Sequence, residues 1–152
     1  MTHSLAELLH KDTPAADVLS LKICEPALGS GAFLVEAVNQ LAAQYLTRRQ
    51  SELGATIPPE DNPAELQKVK AYLALHNCYG VDLNATAVEL AEITLWLVAM
   101  HPGLRAPWFG LHLRRGSRTR LPVACLLSIR AGPIHLVVHG ARPSRWTDCH
   151  GH

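Results

Sequence analysis

Residues 18–34 read VLSLKICEPALGSGAFL, and the fold follows from how that stretch divides. Val18 to Cys24 form a short run of β-branched and aliphatic residues that stops at Glu25-Pro26, where proline ends ladder pairing, so the run predicts a short buried strand. Gly29 and Gly31, two positions apart, permit a tight turn and close approach of a ligand to the backbone. From Ala32 onward the spacing is helical. Phe33, Ala37, Leu41 and Tyr45 recur four apart with Leu34, Val38, Ala42 and Leu46 beside them, giving one broad apolar face to which Phe33 is assigned as core.

Working outward, this helix ends near Gly54, and Pro58-Pro59 and Pro63 mark a loop. Pro63 suits the first turn of a second helix carrying Leu66, Val69, Leu73 and His76. Tyr79 to Leu83 reads as a second strand, and Asn84 as the N-cap of a third helix whose Val88, Ala91, Leu95 and Val98 share a face. Strand, helix, helix, strand, helix is the signature of an α/β crossover fold with a parallel sheet. Beyond His101-Pro102-Gly103 only Trp108–Leu113 and Ile134–Val138 look strand-like, and nothing firm is assigned from Gly116 on. So short a sheet predicts a central strand with an open edge and an uncovered apolar face, and hence a tendency to aggregate.

The chain has 152 residues, 48% hydrophobic and 18% charged, which excludes a fully disordered polypeptide and permits one core. Its net charge of +1 is a cancellation. Residues 1–100 hold six Lys or Arg against twelve Asp or Glu, whereas residues 101–152 hold eight Arg against Asp148 alone. The longest apolar stretch, Leu90–Met100, contains Glu92 and falls far short of the ~20 residues that span a bilayer. No membrane span is expected, and the opening MTHSLAELLHKD lacks the basic and apolar regions of a secretory signal, so the expected location is cytoplasmic. Cys24, Cys78, Cys125 and Cys149 form no C-x-x-C pair and are expected to be reduced thiols. His135, His139, Cys125, Cys149, His150 and His152 match no zinc spacing, so no metal is expected.

The chemistry centres on two places. Glu25-Pro26-Ala27-Leu28-Gly29-Ser30-Gly31 lies between a strand and a helix start, where backbone amides are available to a ligand. Leu34 stands where the dinucleotide fingerprint has its third glycine, and no G-x-x-x-x-G-K-[ST] is present, so neither a nicotinamide nor a Walker-type nucleotide site is supported. Asp82 ends the second strand, beyond which ligands bind in open parallel sheets and an acid can accept from a ribose diol. Taken alone, the two glycines are equally compatible with a plain turn, and Asp82 with an exposed carboxylate at a helix start.

Together, EPALGSGAFL at 25–34 and GVDLNATAVELAEITLWL at 80–97 resemble motifs I and II of the large adenine-specific DNA methyltransferases of bacterial restriction-modification and phage-defence systems. The resemblance extends over about residues 18–116, including His112-Leu113-Arg114-Arg115-Gly116. It implies a partial Rossmann-like methyltransferase fold over residues 1–116 that transfers methyl from S-adenosylmethionine to adenine N6 in DNA. It implies that Gly29, Ser30 and Gly31 wrap the methionine portion of S-adenosylmethionine, that Glu25 faces its cationic end, and that Pro26 and Ala27 belong to the same cofactor site. Asp82 would hold the ribose hydroxyls and Leu83 would pack on the adenine ring.

The family's catalytic Asn/Asp-Pro-Pro-aromatic motif has no counterpart here: the one Pro-Pro, Pro58-Pro59, is preceded by Ile57 and followed by Glu60. No catalytic residue is therefore assigned. The expectation is a truncated, inactive fragment with an irregular C-terminal tail. Alternatives are a non-catalytic cofactor-binding subunit whose separate partner or missing C-terminal portion carries that motif, and a small-molecule or RNA methyltransferase. Residues 117–152 lie outside the resemblance; their arginines suit either a nucleic-acid-binding arm or translation past a frameshift junction, the latter preferred.

Overall fold

The computed structural model describes residues 9–10, 12–102, 112–117 and 137–140. Among the described residues four helices and four strands are defined: α1 Ala15–Ser20, β1 Leu21–Glu25, α2 Ala32–Leu53, α3 Asn62–His76, β2 Cys78–Asp82, α4 Ala85–Ala99, β3 Leu113–Arg115 and β4 Val137–Gly140. The sheet order is β3-β2-β1-β4. β1 and β2 run parallel with Ile23 opposite Cys78 and Glu25 opposite Gly80, and β2 and β3 run parallel with Gly80 opposite Leu113 and Asp82 opposite Arg115. This is the expected α/β class, a partial Rossmann-like arrangement.

Three details differ from the sequence expectation. Val18, Leu19 and Ser20 belong to helix α1, not to the strand. Ala15 and Val18, three apart, are its buried residues, and the chain turns extended only at Leu21. A short aliphatic run does not by itself distinguish the two conformations, and packing of α1 against α2 decides it. Second, β4 joins antiparallel, with Leu21 opposite Gly140 and Cys24 opposite Val137, so β1 has neighbours on both sides and its expected open edge is filled. Third, Phe33 is 47% exposed, so the helix face that begins at Leu34 leaves it outside the core.

The helices form as their sequences dictate. Leu34, Ala37, Val38, Leu41, Ala42 and Leu46 bury the long face of α2. That helix ends at Gly54, whose φ of 61° is the left-handed conformation that costs glycine least. Pro63 sits in the first turn of α3, and Asn84 caps α4 by accepting from the Thr86 amide at 3.0 Å. Asn77, fully buried, donates its side-chain amide to the Leu19 carbonyl at 2.7 Å and to the Leu21 carbonyl at 2.6 Å, while its own carbonyl accepts from the Ile23 amide at 2.8 Å. It thereby ties the bend between α1 and β1 to the start of β2. Lys22 donates to the His76 carbonyl at 2.8 Å, a cation at the negative end of α3.

Cys78 is buried with a free thiol, which burial pushes up to about 12. Cys24 is buried and disulfide-bonded, which corrects the expectation of reduced thiols at that position. The strand expected at Trp108–Leu113 lies outside the described residues up to position 111, as do most of the tail and its Cys125, His135, Cys149, His150 and His152. Among the described residues no helix is long and apolar enough to cross a membrane, and no group of three or more His, Cys, Asp or Glu could hold a metal.

Candidate functional site

Parallel pairing of β1, β2 and β3 brings their carboxyl ends to one edge of the sheet, where loop 26–31 and the start of α4 also arrive. Glu25 and Asp82 are the last residues of β1 and β2, so the two sequence-singled acids meet at this edge.

Glu25 is 2% exposed. One carboxyl oxygen, Oε1, accepts from the Ala27 amide at 3.1 Å; the other, Oε2, is buried without a hydrogen-bond partner. Burial pushes this carboxyl up to about 7, and the Ala27 amide draws it back only in part. Asp82 is the opposite case. Its Oδ1 accepts from the Asn84 amide and its Oδ2 from the Gly29 amide, each at 2.9 Å, and those two donors hold the carboxyl below its usual range. The Asp82 carbonyl accepts in addition from the Gly116 amide at 2.8 Å. One residue therefore binds together the glycine loop, the cap of α4 and the turn after β3.

The loop is shaped by what its glycines lack. Gly31 has φ 79°, and a Cβ there would stand 3.0 Å from the Ala91 Cβ and 3.2 Å from the Ala91 Cα, so α4 approaches the loop as closely as backbone allows. Gly29 has φ 53° and open space where a side chain would project. Leu28 points inward, 2% exposed, and its amide donates to the Val81 carbonyl at 3.1 Å. Its Cδ1 fills the notch above Gly80, lying 2.6 Å from where a Cβ would be. Gly31 is also the N-cap of α2 and supplies no side-chain acceptor to the first turn.

The remaining sequence-singled residues divide. Pro26 is buried, whereas Ala27 and Ser30 are exposed. Leu83 is 74% exposed, projecting from the edge. Pro58-Pro59 lies in the connection between α2 and α3. Sequence reasoning passed over Arg115, which donates to the Leu83 carbonyl at 3.3 Å, as well as Leu28 and Gly80, which set the loop's depth. The glycine at 80 was the available signal, since a glycine inside a strand marks close approach of another group.

Residues 8–107 match the family described as "MmeI, DNA-methyltransferase domain". A Methanocaldococcus jannaschii protein named as a candidate type II restriction enzyme and methyltransferase is 30% identical over 110 residues, which covers 62% of this chain and 8% of that protein. No solved structure matches.

Proposed function

Since this chain belongs to the MmeI DNA-methyltransferase domain family, we propose that its sheet edge binds S-adenosylmethionine for methylation of adenine N6 in DNA. The observation that carries this reading is the pairing of two carboxylates of opposite character across one glycine loop: Glu25, buried with an unpartnered Oε2, and Asp82, hydrogen-bonded and ionised. A buried carboxyl oxygen without a partner suits a cationic ligand group, because an unpaired buried polar atom is costly. Glu25 would face the positive end of the cofactor. Gly29, Ser30 and Gly31, with Pro26 and Ala27, would line its methionine portion, and the open space beside Gly29 accommodates close approach. Asp82 retains lone pairs beyond its two backbone donors and would accept from the ribose hydroxyls. Leu83, projecting at the mouth, would lie against the adenine ring. When bound, the cofactor supplies an electrophilic methyl group.

The chain supplies the cofactor half of the reaction. Its sequence offers no Asn/Asp-Pro-Pro-aromatic stretch to hold a flipped adenine, so transfer to DNA would draw that motif from a separate subunit or a further portion of the enzyme. On this reading the methyltransferase unit occupies residues 1–116. Equilibrium dialysis or calorimetry of the full chain with S-adenosylmethionine tests the assignment, with weaker binding expected for Asp82→Ala. Absence of binding by a folded chain, or equal binding by that variant, refutes it.

A further inference from the structure

Glu25 is placed where an ion is hard to keep. It is 2% exposed, a single amide donates to it, and its second oxygen has no partner. Among the described side chains around it none is a compensating cation. Lys22 lies along β1 but is engaged by the His76 carbonyl, and β2 ends in Asp82, itself anionic. The charged residue nearest the start of α2 is Glu36, α4 carries Glu89 and Glu92, and β4 holds His139 paired in register with Lys22. β3 carries Arg114 and Arg115, the latter donating to the Leu83 carbonyl. Among the side chains described on β1, β2, β3, α2 and α4 none acts on the Glu25 carboxyl, whose state is governed by burial and the Ala27 amide. A carboxyl so placed resolves the conflict by holding its proton until a cation arrives.

We propose that Glu25 is a proton-exchanging recognition residue: it stands protonated in the free chain and becomes a carboxylate as it takes up the positive end of the cofactor, so that loading expels one proton. The proposal rests on the cofactor reading above and deepens it by assigning the recognition of positive charge to a residue that must first ionise. The exchange balances simply. The proton on Oε passes to solvent, and the ligand's cation replaces it as the partner of the carboxylate. Because the free group sits near 7, cofactor affinity should rise about tenfold between pH 6 and pH 8, following the ionised fraction. Asp82, held ionised throughout by its two amides, contributes no proton.

The test is calorimetry of the full chain with S-adenosylmethionine at pH 6.5 in two buffers of different ionisation enthalpy, which counts protons released on binding. Release of about three-quarters of a proton, the protonated fraction at that pH of a group near 7, is expected from the wild type and none from Glu25→Gln, whose affinity should no longer vary between pH 6 and 8. Asp82→Asn should bind more weakly and still release the proton, which separates exchange at Glu25 from general damage to the mouth. S-adenosylhomocysteine keeps the ammonium and lacks the sulfonium. Release with both ligands assigns the ammonium as Glu25's partner, and release with S-adenosylmethionine alone assigns the sulfonium. Binding without proton release, or equal release by Glu25→Gln, overturns the proposal while leaving the cofactor reading intact. Absence of binding by a folded chain overturns both.

Discussion

Replacing Gly31 by alanine tests the geometry of the loop, and the structure supplies its own control. At Gly31 the new Cβ meets two obstacles at once: a backbone at φ 79°, and the Cβ and Cα of Ala91 at 3.0 and 3.2 Å. The left-handed conformation costs an alanine roughly 1–2 kcal/mol. Crowding against α4 adds roughly 1–3 kcal/mol, because the obstacle is helix backbone and its first carbon, which cannot swing aside like the end of a long side chain. Gly31→Ala should therefore destabilise the chain by about 2–5 kcal/mol. Gly29→Ala meets only the first obstacle, since its φ is 53° and nothing lies within 4 Å of the added carbon, and should cost about 1–2 kcal/mol. Urea unfolding of both variants measures the difference. A double variant, Gly31→Ala with Ala91→Gly, removes the 3.0 Å contact and should recover part of the loss beyond additivity, leaving the backbone strain in place. Equal destabilisation by Gly31→Ala and Gly29→Ala, or strict additivity in the double variant, would refute the reasoning.

Two further outcomes follow from buried polar groups. Glu25, raised to about 7 in the folded chain, binds its proton more tightly folded than unfolded, so its contribution to stability is full below about pH 4.5 and is lost as pH rises through 7, to a total of about 3 kcal/mol. Glu25→Gln should match the wild type near pH 4 and exceed it in stability at pH 8, as thermal or urea unfolding at the two pH values will show; a constant difference between the two proteins would contradict it. Asn77→Ala leaves the Leu19 and Leu21 carbonyls without their donor in a fully buried place and should cost about 2–4 kcal/mol with no change in denaturant m-value.

Much of this architecture was legible from residue order because its signals are local. Gly54, Pro63 and Asn84 act on the backbone within a few positions, and they end, begin and cap the helices where their chemistry places them. The apolar periodicities of α2 and α4 are equally local. What escaped reading depends on distant partners. Val18 is helical because it packs with Ala15 against α2, a contact that no property of the run 18–24 encodes. Phe33 matches the spacing of the buried face yet sits at the helix's first turn, beyond the neighbours that cover Leu34. Antiparallel pairing of β4 joins residues more than a hundred positions apart. At the candidate site the identities of Glu25 and Asp82 were apparent, but their contrasting states were not. Those depend on which amides reach each carboxyl, and the Gly29 amide reaches Asp82 from 53 positions away.

That last contact has a temporal meaning. Asp82 receives the Gly29 amide from far upstream and the Gly116 amide from far downstream. During synthesis the acids and glycines of the mouth are all made before residue 112 exists, yet β3 and its turn are the last of the parallel strands to arrive. Contacts of such sequence separation form late. On the proposed cofactor reading, a nascent chain should thus carry Glu25, Asp82 and the glycine loop without their final arrangement, and competence to load should appear together with the docking of residues 113–116.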